Sequence, residues 1–237
     1  MSGPNMVETT SKVIDENIIV DDRGVIIKDT KITELPDLGE ATKEKTHIIL
    51  QRNELSEFPS NIYNFSALSH LSIMNNNILA IPKEIEVFAD LLVLKLDNNK
   101  ITEIPDSIKN LTNLYTLSLS NNMIKDISPE IASLKNLRFI YFKGNNIKRL
   151  PKELAKLTNL IVLDLRDNPL EMSDDELNYG RRSLKRIFGN RVILRNKQTV
   201  AGLTRNIAKN YLIRTALAVL ISILLIWAST KTKLLPF

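Results

Sequence analysis

The chain has 237 residues, of which 43% are hydrophobic and 25% are charged. This length and composition are those of an ordinary globular protein and allow one elongated domain with a good core. Cysteine is absent, which excludes a thiol nucleophile and a disulfide framework and favours a reducing compartment. Residues 1–11 contain neither a basic stretch nor an apolar run, so we expect no cleavable signal peptide and an N-terminus that stays in the cytosol.

Charge is unevenly distributed along the chain. Residues 1–176 carry 20 basic and 27 acidic side chains, whereas residues 177–237 carry 12 basic and no acidic side chains. Such a split indicates an acidic or neutral body joined to a basic tail. We expect the tail to meet a polyanionic surface, which is either phospholipid or nucleic acid.

Residues 1–21 precede a region of regular repeats and are predicted to form an N-terminal cap. A stack of repeats exposes its apolar core at the open end unless another segment covers it. The segment 11–20 supplies apolar side chains that could cover this end, namely Val13, Ile14, Ile18, Ile19 and Val20.

Residues 22–170 repeat one pattern of 23 residues, LxxLxLxxNxIxxIPxxIxxLxx, and each copy begins 23 residues after the one before it. Alternating leucines such as Leu94 and Leu96 predict one short, half-buried strand in each copy. Because one copy cannot bury its own apolar edge, neighbouring copies must stack about 4.8 Å apart. The pattern therefore predicts an α/β solenoid of about seven repeats with a curved parallel sheet. Full copies begin at Lys45, Leu68, Leu91, Leu114, Leu137 and Leu160, and a degenerate copy begins at Asp22.

An asparagine occupies the position at which each predicted strand turns, at Asn53, Asn76, Asn99, Asn122, Asn145 and Asn168. Its amide can bond backbone groups that stacking would otherwise leave buried and unpaired. A proline such as Pro105 then begins the return segment on the outer side, since it fixes φ and needs no donor. Thr30 takes the asparagine position in the degenerate copy. Ser128 and Pro129 place the proline one residue late, which predicts a slightly different outer turn there.

The outward positions of the predicted strands define what we call the concave face. They are Gly24, Ile26, Lys28, His47, Ile49, Gln51, His70, Ser72, Met74, Val93, Lys95, Asp97, Thr116, Ser118, Ser120, Phe139, Tyr141, Lys143, Val162, Asp164 and Arg166. Exposed aromatic side chains next to charges are typical of protein-binding hot spots. We predict a partner site centred on Phe139 and Tyr141, with Lys95, Asp97, Lys143, Asp164 and Arg166 as further members. The alternative is that these side chains only cover the sheet.

Candidate catalytic groups are few. The sequence contains no glycine-rich phosphate loop and no spaced set of serine, histidine and aspartate. We therefore expect a non-enzymatic protein with no cofactor, no metal and no small-molecule substrate. The two histidines, His47 and His70, occupy the same position on neighbouring predicted strands. They could share a metal or titrate together, but no acidic residue in the adjacent columns completes a site, and a solvated surface pair is the simpler interpretation.

Residues 171–194 are predicted to cap the C-terminal end of the solenoid. The sequence SDDE at 173–176 is typical of a capping box, in which the serine oxygen and the glutamate each bond a free backbone N–H. The helix that follows is predicted to end near Phe188, before Gly189. Residues 195–211 are predicted to be a basic linker.

Residues 212–229 are predicted to form a transmembrane anchor, followed by a short lumenal or intermembrane tail at 230–237. No charged residue lies between Arg214 and Lys231. As a helix this uncharged interval would be about 24 Å long, which suffices for a bilayer if the flanking basic side chains reach its surface. A buried core helix is the alternative. The residues assigned to the membrane boundary are Arg205, Lys209, Arg214, Trp227, Lys231 and Lys233.

The basic excess before this segment predicts that the repeats face the cytosol. A sole span so near the C-terminus resembles a tail anchor. The predicted location is an intracellular membrane, either the endoplasmic reticulum or the mitochondrial outer membrane. There we expect contact with the lipid bilayer and with either anionic lipid or ribosomal RNA.

The repeats IPDSIKNLTNLYTLSLSNNMI and LPKELAKLTNLIVLDLRDNPL resemble the short cytosolic leucine-rich repeat family typified by Ras-pathway scaffolds and plant intracellular Ras-group repeats. The resemblance covers residues 22–194. It implies a leucine-rich repeat solenoid and a signalling scaffold or adaptor that binds a cytosolic protein on its concave face. Two alternatives remain, a regulatory subunit in a GTPase or phosphatase pathway, and a ribosome- or RNA-associated membrane protein. The second would use the basic residues Arg181, Arg182, Lys185, Arg186 and Arg191.

Overall fold

A computed structural model describes residues 12–15, 17–39, 43–171 and 192–193 of the chain. Within these residues, ten strands form one sheet whose spatial order follows the sequence. The strands are β1 Lys12–Asp15, β2 Ile18–Val20, β3 Gly24–Lys28, β4 His47–Gln51, β5 His70–Ser72, β6 Val93–Lys95, β7 Thr116–Ser118, β8 Phe139–Tyr141, β9 Val162–Asp164 and β10 Val192–Ile193.

The strands β3 to β9 are parallel, and each is paired with the next through residues at equivalent positions of consecutive repeats. His47 lies opposite His70, and His70 lies opposite Val93. The same register continues to the pairing of Phe139 with Val162. This confirms the predicted solenoid with its parallel sheet and its repeat step.

The two ends of the sheet differ. At the N-terminal end, β1 and β2 form an antiparallel hairpin that continues the sheet from β3. Ile18 and Val20 of β2 pack against the apolar core. At the C-terminal end, β10 pairs in parallel with β9. The helix predicted at 173–188 lies outside the described residues.

On the opposite side from the strands, the described residues form five 3₁₀ helices, one in each of five consecutive repeats. They span Ser60–Asn64, Lys83–Val87, Asp106–Asn110, Pro129–Ser133 and Lys152–Lys156. Four begin after a proline such as Pro105, whose extended backbone precedes the first turn. The fourth helix in the chain begins after Ser128, whose hydroxyl accepts a hydrogen bond from the Glu130 amide at 3.2 Å. This 3₁₀ helix begins and ends at the same repeat positions as the other four. The predicted difference in the outer turn is therefore only a change in the residue that caps the helix.

The core is a set of aliphatic columns that run along the solenoid. Leu94, Leu96 and Ile108 of one repeat are fully buried, and the equivalent residues of neighbouring repeats are buried against them. Burying such a side chain stabilises the fold by about 1.5–3 kcal/mol. Since every repeat is covered on both sides by its neighbours, the stability comes from stacking.

The asparagine column ties consecutive repeats together in the way that the sequence predicts. The Asn99 side chain donates to the Ile73 carbonyl at 2.8 Å and to the Leu96 carbonyl at 3.0 Å. Its oxygen accepts from the Ile78 amide at 3.0 Å. The same three bonds recur at Asn122, whose partners are Leu96, Leu119 and Ile101. Each asparagine therefore satisfies buried backbone groups of its own repeat and of the preceding one.

The residue just before each asparagine adopts a left-handed backbone. The column comprises Asp29, Arg52, Asn75, Asn98, Asn121, Gly144 and Asp167, all with φ between 55° and 68°. Asparagine, aspartate and glycine tolerate this conformation best. At Gly144 a Cβ atom would lie 2.4 Å from Oδ1 of Asn121, so a larger residue there would displace the Asn121 side chain.

Among the described residues, no helix has both the length and the apolar character that crossing a bilayer requires. The predicted linker 195–211, anchor 212–229 and tail 230–237 lie outside that part of the chain.

Replacing Asn99 with alanine should destabilise the fold strongly. The Ile73 carbonyl and the Ile78 amide would lose their asparagine partner while remaining buried, and each such loss costs about 1–3 kcal/mol. We expect the free energy of unfolding to fall by about 2–4 kcal/mol, measured by urea unfolding with circular dichroism. Asn110→Ala is the matched control, because Asn110 is exposed and bonds only the Glu86 side chain. Equal and small losses for both variants would contradict this role for Asn99.

Candidate partner-binding face

The residues predicted for the partner site lie together on the concave face. Phe139 and Tyr141 are half-buried on β8, and Lys143 follows two residues later. Asp164 lies on the next strand, opposite Tyr141. Lys95 is exposed on β6, two strands away from β8.

Two of these residues, Asp97 and Asp164, point into the fold. Their side chains are 7% and 2% exposed, respectively. Asp97 accepts from the Ser118 hydroxyl at 2.6 Å and from the Ser120 amide at 2.9 Å. Asp164 accepts from Arg166 through its amide at 3.1 Å and through its guanidinium Nε at 2.8 Å. Both carboxylates are therefore already bonded within the chain, and their burial is a feature that the strand alternation did not predict.

A further column of side chains, exposed except at the half-buried Thr46 and Ser69, borders the concave face and was missed by the sequence pattern. We call it the edge column, and it consists of Arg23, Thr46, Ser69, Leu92, Tyr115, Arg138 and Ile161. Leu92 and Tyr115 are each 42% exposed and Ile161 is 39% exposed, which are high values for large apolar side chains. These seven residues occupy the same position in successive repeats, and this regular spacing was the signal that could have revealed the column.

The backbone explains why simple alternation fails at this column. The Leu92 carbonyl accepts hydrogen bonds from two successive amides, those of Tyr115 at 2.8 Å and Thr116 at 3.0 Å. The Tyr115 carbonyl accepts from Arg138 and Phe139 in the same way. Two successive residues then oppose one residue of the neighbouring repeat, as in a β-bulge. Alternation therefore breaks at the start of each strand, which leaves the edge column at the solvent surface.

Tyr115 is the centre of the most apolar part of this surface. Its ring lies 5.5 Å from the ring of Phe139 with a tilt of 58°. The guanidinium of Arg138 lies 6.0 Å from the Tyr115 ring centre, within the range of a cation–π contact. The Tyr115 ring borders an open depression of about 410 Å³, which we call the Tyr115 depression. It is lined by His70, Leu92, Val93, Asn113, Tyr115, Asn136 and Arg138.

The two histidines stack next to this depression. The ring centres of His47 and His70 lie 4.1 Å apart and the planes differ by 7°. The Thr46 hydroxyl lies 2.7 Å from Nδ1 of His47, and the Ser69 hydroxyl lies 2.9 Å from Nδ1 of His70. Each hydroxyl also donates to a backbone carbonyl, so its remaining role is to accept a hydrogen from Nδ1. A neutral ring that donates from Nδ1 in this way keeps its lone pair on Nε2.

This arrangement does not favour a shared metal. Ring lone pairs lie in the ring planes, and the planes of these two rings are nearly parallel, whereas two ligands of one ion must converge on it. Among the described residues, no three histidine, cysteine, aspartate or glutamate side chains come together to hold a metal ion.

Titration of His70 is affected by its surroundings. Burial lowers the pKa of His70, and the charges of His47 and Lys95 act in the same direction. A proton on His70 is therefore less favourable in the folded protein than in the unfolded chain.

The family assignment follows from the repeats. Residues 66–124 and 112–170 match the family described as "Leucine rich repeat". Together with the parallel strands and the asparagine column, this match shows that the repeat region belongs to the leucine-rich repeat family. No protein of curated function matches the chain.

Two solved structures resemble the repeat region. A leucine-rich repeat protein of Leptospira interrogans is 35% identical with a TM-score of 0.58, and the match covers 65% of this chain and 38% of that one. The ectodomain of the plant receptor kinase GASSHO1/SCHENGEN3 from Arabidopsis thaliana is 27% identical with a TM-score of 0.54. That match covers 65% of this chain and 18% of the receptor, whose structure contains Casparian strip integrity factor 2. The chain thus spans less than two fifths of the length of either protein.

The stability of the fold should depend on pH through His70. The pKa of His70 is lower in the folded protein than in the unfolded chain, so the unfolded chain binds more protons just below about pH 6.5. The free energy of unfolding should therefore fall as the pH is lowered through this range, and His70→Gln should make the fall smaller. Urea midpoints measured at several pH values check this, with Gln51→Ala on the same face as a non-titrating control. An unchanged pH slope in His70→Gln would contradict it.

Proposed function

We propose that the protein is a membrane-tethered, non-enzymatic adaptor of the short cytosolic leucine-rich repeat type. In this proposal the concave face and the edge column bind a protein partner. The observation that carries it is the exposed apolar surface formed by Leu92, Tyr115, Phe139 and Ile161.

The composition of this surface supports a protein partner. Single exposed apolar side chains are ordinary on a protein surface, but a contiguous set is typical of an interaction site. Tyrosine and arginine are enriched among residues that contribute most to binding energy. Tyr115 and Arg138 lie in contact at the border of the depression. Their side chains would lose further solvent exposure if a partner covered them.

The similar plant receptor ectodomain supports the same class of partner. That structure was solved in complex with Casparian strip integrity factor 2. A leucine-rich repeat surface is therefore suited to engaging another polypeptide, and we extend this property to the present chain.

The tether is proposed from the sequence of residues 212–229. This segment includes the uncharged interval between Arg214 and Lys231 and has basic residues on both sides. Anchoring at the endoplasmic reticulum or the mitochondrial outer membrane would place the repeats at the cytosolic surface. A partner bound there would be held at a high local concentration, which is how an adaptor promotes encounters. The basic linker 195–211 would add attraction to anionic lipid of about 1 kcal/mol per charge.

A second candidate function is association with ribosomal RNA. It is favoured by the 12 basic and no acidic residues of 177–237. Phosphate of RNA and phosphate of lipid attract such a segment by the same salt-dependent interaction. Binding of the full chain to ribosomal RNA, and none to anionic vesicles at matched salt, would favour this second function.

Removing the aromatic pair should weaken partner binding without unfolding the protein. We expect Tyr115→Ser with Phe139→Ala to reduce affinity by roughly 30-fold, because hot-spot truncations cost about 2 kcal/mol. Affinity capture from detergent-solubilised membranes identifies the partner, and titration of that partner measures the effect. The originally predicted pair, Phe139→Ala with Tyr141→Ala, should also weaken binding.

The matched control for this experiment is Leu79→Ser with Val87→Ser. These side chains are also large, apolar and exposed, but both lie outside the concave face and the edge column. Their replacement should leave partner binding unchanged. A loss with the control pair and none with the aromatic pair would place the partner on another surface.

Deleting residues 212–237 should release the protein from membranes. We expect the full chain to resist extraction at alkaline pH, because an apolar helix holds it in the bilayer. The truncated chain should fractionate with soluble protein and keep the circular dichroism of the repeats. A full-length chain that washes off at alkaline pH would rule out the anchor, as would a truncated chain that aggregates because 212–229 belong to its core.

A further inference from the structure

The charges of the concave face and the edge column are mostly positive. The two surfaces contain six basic side chains, Arg23, Lys28, Lys95, Arg138, Lys143 and Arg166, and two acidic ones, Asp97 and Asp164. Both acidic side chains are buried and hydrogen-bonded within the chain. A partner that approaches this side of the sheet therefore meets cations and apolar groups, with no exposed carboxylate at these positions.

Two of the cations are free to bind an external anion. Lys143 lies 3.8 Å from the Asp167 carboxylate, and Arg166 is paired with Asp164. Lys95 and Arg138 are exposed, and neither has a carboxylate within ion-pair distance among the described residues. The Arg138 guanidinium lies over the Tyr115 ring. An acidic group at either position would gain a charge interaction without displacing an existing partner.

The fold places the two cations on the repeats that flank the repeat of Tyr115. Lys95 lies on β6 and Arg138 immediately precedes β8, with β7 between them. Two strand spacings and an offset of three residues along the strands separate their backbones by about 14 Å. Tyr115 belongs to the intervening repeat, at the position equivalent to Arg138, and the following residue, Thr116, pairs with Val93 and Phe139.

An extended peptide has matching dimensions. Alternate residues of an extended chain point to the same side, so residues i, i+2 and i+4 can face the protein together. The first and last of these lie about 13 Å apart. A peptide that crosses the strands can therefore bring one carboxylate to Lys95, an apolar side chain to Tyr115 and a second carboxylate to Arg138.

We propose that the partner presents an extended acidic segment in which an acidic, an apolar and a second acidic residue occupy alternate positions. The carboxylates bind Lys95 and Arg138, and the apolar residue packs on Tyr115 at the depression. This proposal rests on the proposed function and specifies the partner for the same surface. The aliphatic neighbours Leu92 and Val93, together with the 58° tilt between the two rings, suit a side chain better than a stacked nucleobase.

Selection from a library of random displayed peptides tests this proposal on the full chain in mild detergent. We expect the selected peptides to be enriched in the alternating acidic, apolar and acidic pattern. A synthetic peptide from the selected set should bind the variant Lys95→Glu with Arg138→Glu at least about tenfold more weakly, because both attractions become repulsions. Selection on that double variant should instead enrich basic residues at the outer two positions.

Matched variants separate the possible outcomes. Lys100→Glu with Lys125→Glu changes charge by the same amount at exposed positions outside both surfaces, and it should leave peptide binding unchanged. Tyr115→Ser should abolish selection of the apolar central residue. Circular dichroism of each variant reports whether the repeats remain folded.

Three results would overturn the proposal. Peptides that depend on Tyr115 but show no acidic preference would refute the acidic segment and leave the proposed function standing. Peptides that are insensitive to Tyr115, Lys95 and Arg138 would refute both the segment and this location of the site. A library that yields no enriched peptides, or single-stranded RNA that competes fully with the selected peptide, would show that a linear acidic segment is not the ligand.

Discussion

The structure depends on the hydrogen bonds of one buried asparagine in each repeat. Stacking alone would bring backbone carbonyls and amides of the turn into the core without partners, at a cost that the aliphatic side chains of a single repeat could not offset. Asn99 resolves this by bonding Ile73, Leu96 and Ile78 at once, so it joins one turn to the preceding repeat. Because every full repeat contains the same side chain at the same position, the turns stack in one register and the strands pair at a constant offset of one repeat. The parallel sheet follows from this constraint, and the positions of all exposed columns follow from the sheet.

The exposed columns connect the fold to binding. Because the strands pair at a constant offset of one repeat, each residue lies beside its counterparts in the repeats before and after it. A functional surface is therefore formed by a column of residues from successive repeats and not by a local sequence motif. The stacking of His47 on His70 arises in this way, and Tyr115 contacts Phe139, which directly follows its counterpart Arg138. The core positions are nearly invariant in type, whereas the exposed columns change from repeat to repeat. Specificity can therefore evolve in these columns without altering the stack. The proposed acidic segment would use three such positions in three consecutive repeats.

The sequence predicts the features that all repeats share, but it does not reveal features that depend on local geometry. The alternation of Leu94 and Leu96 and the position of Asn99 identify the strand, the turn and the register, because each has one physical role that only a few residue types can fill. The exposure of Leu92 and Tyr115 was missed because two successive amides share one carbonyl there, and a period of two residues cannot represent that bulge. Asp97 and Asp164 have the spacing of exposed residues, yet hydrogen bonds from Ser118 and Arg166 hold them in the fold. The bond from Ser118 comes from the next repeat and the bond from Arg166 from a side chain two residues away, and neither is visible in the alternation of one strand.

Hydrogen–deuterium exchange at single amides tests the asparagine column most directly. The amides of Ile78, Ile101 and Ile124 lie in turns, but each donates to an asparagine oxygen at 3.0–3.1 Å. If those bonds hold the repeats in register, these amides should exchange as slowly as the strand-end amides of Leu96 and Leu119, which bond the backbone of the next repeat. Exchange at the rate of exposed turn amides, while Leu96 and Leu119 stay protected, would show that the sheet keeps its register without the asparagines.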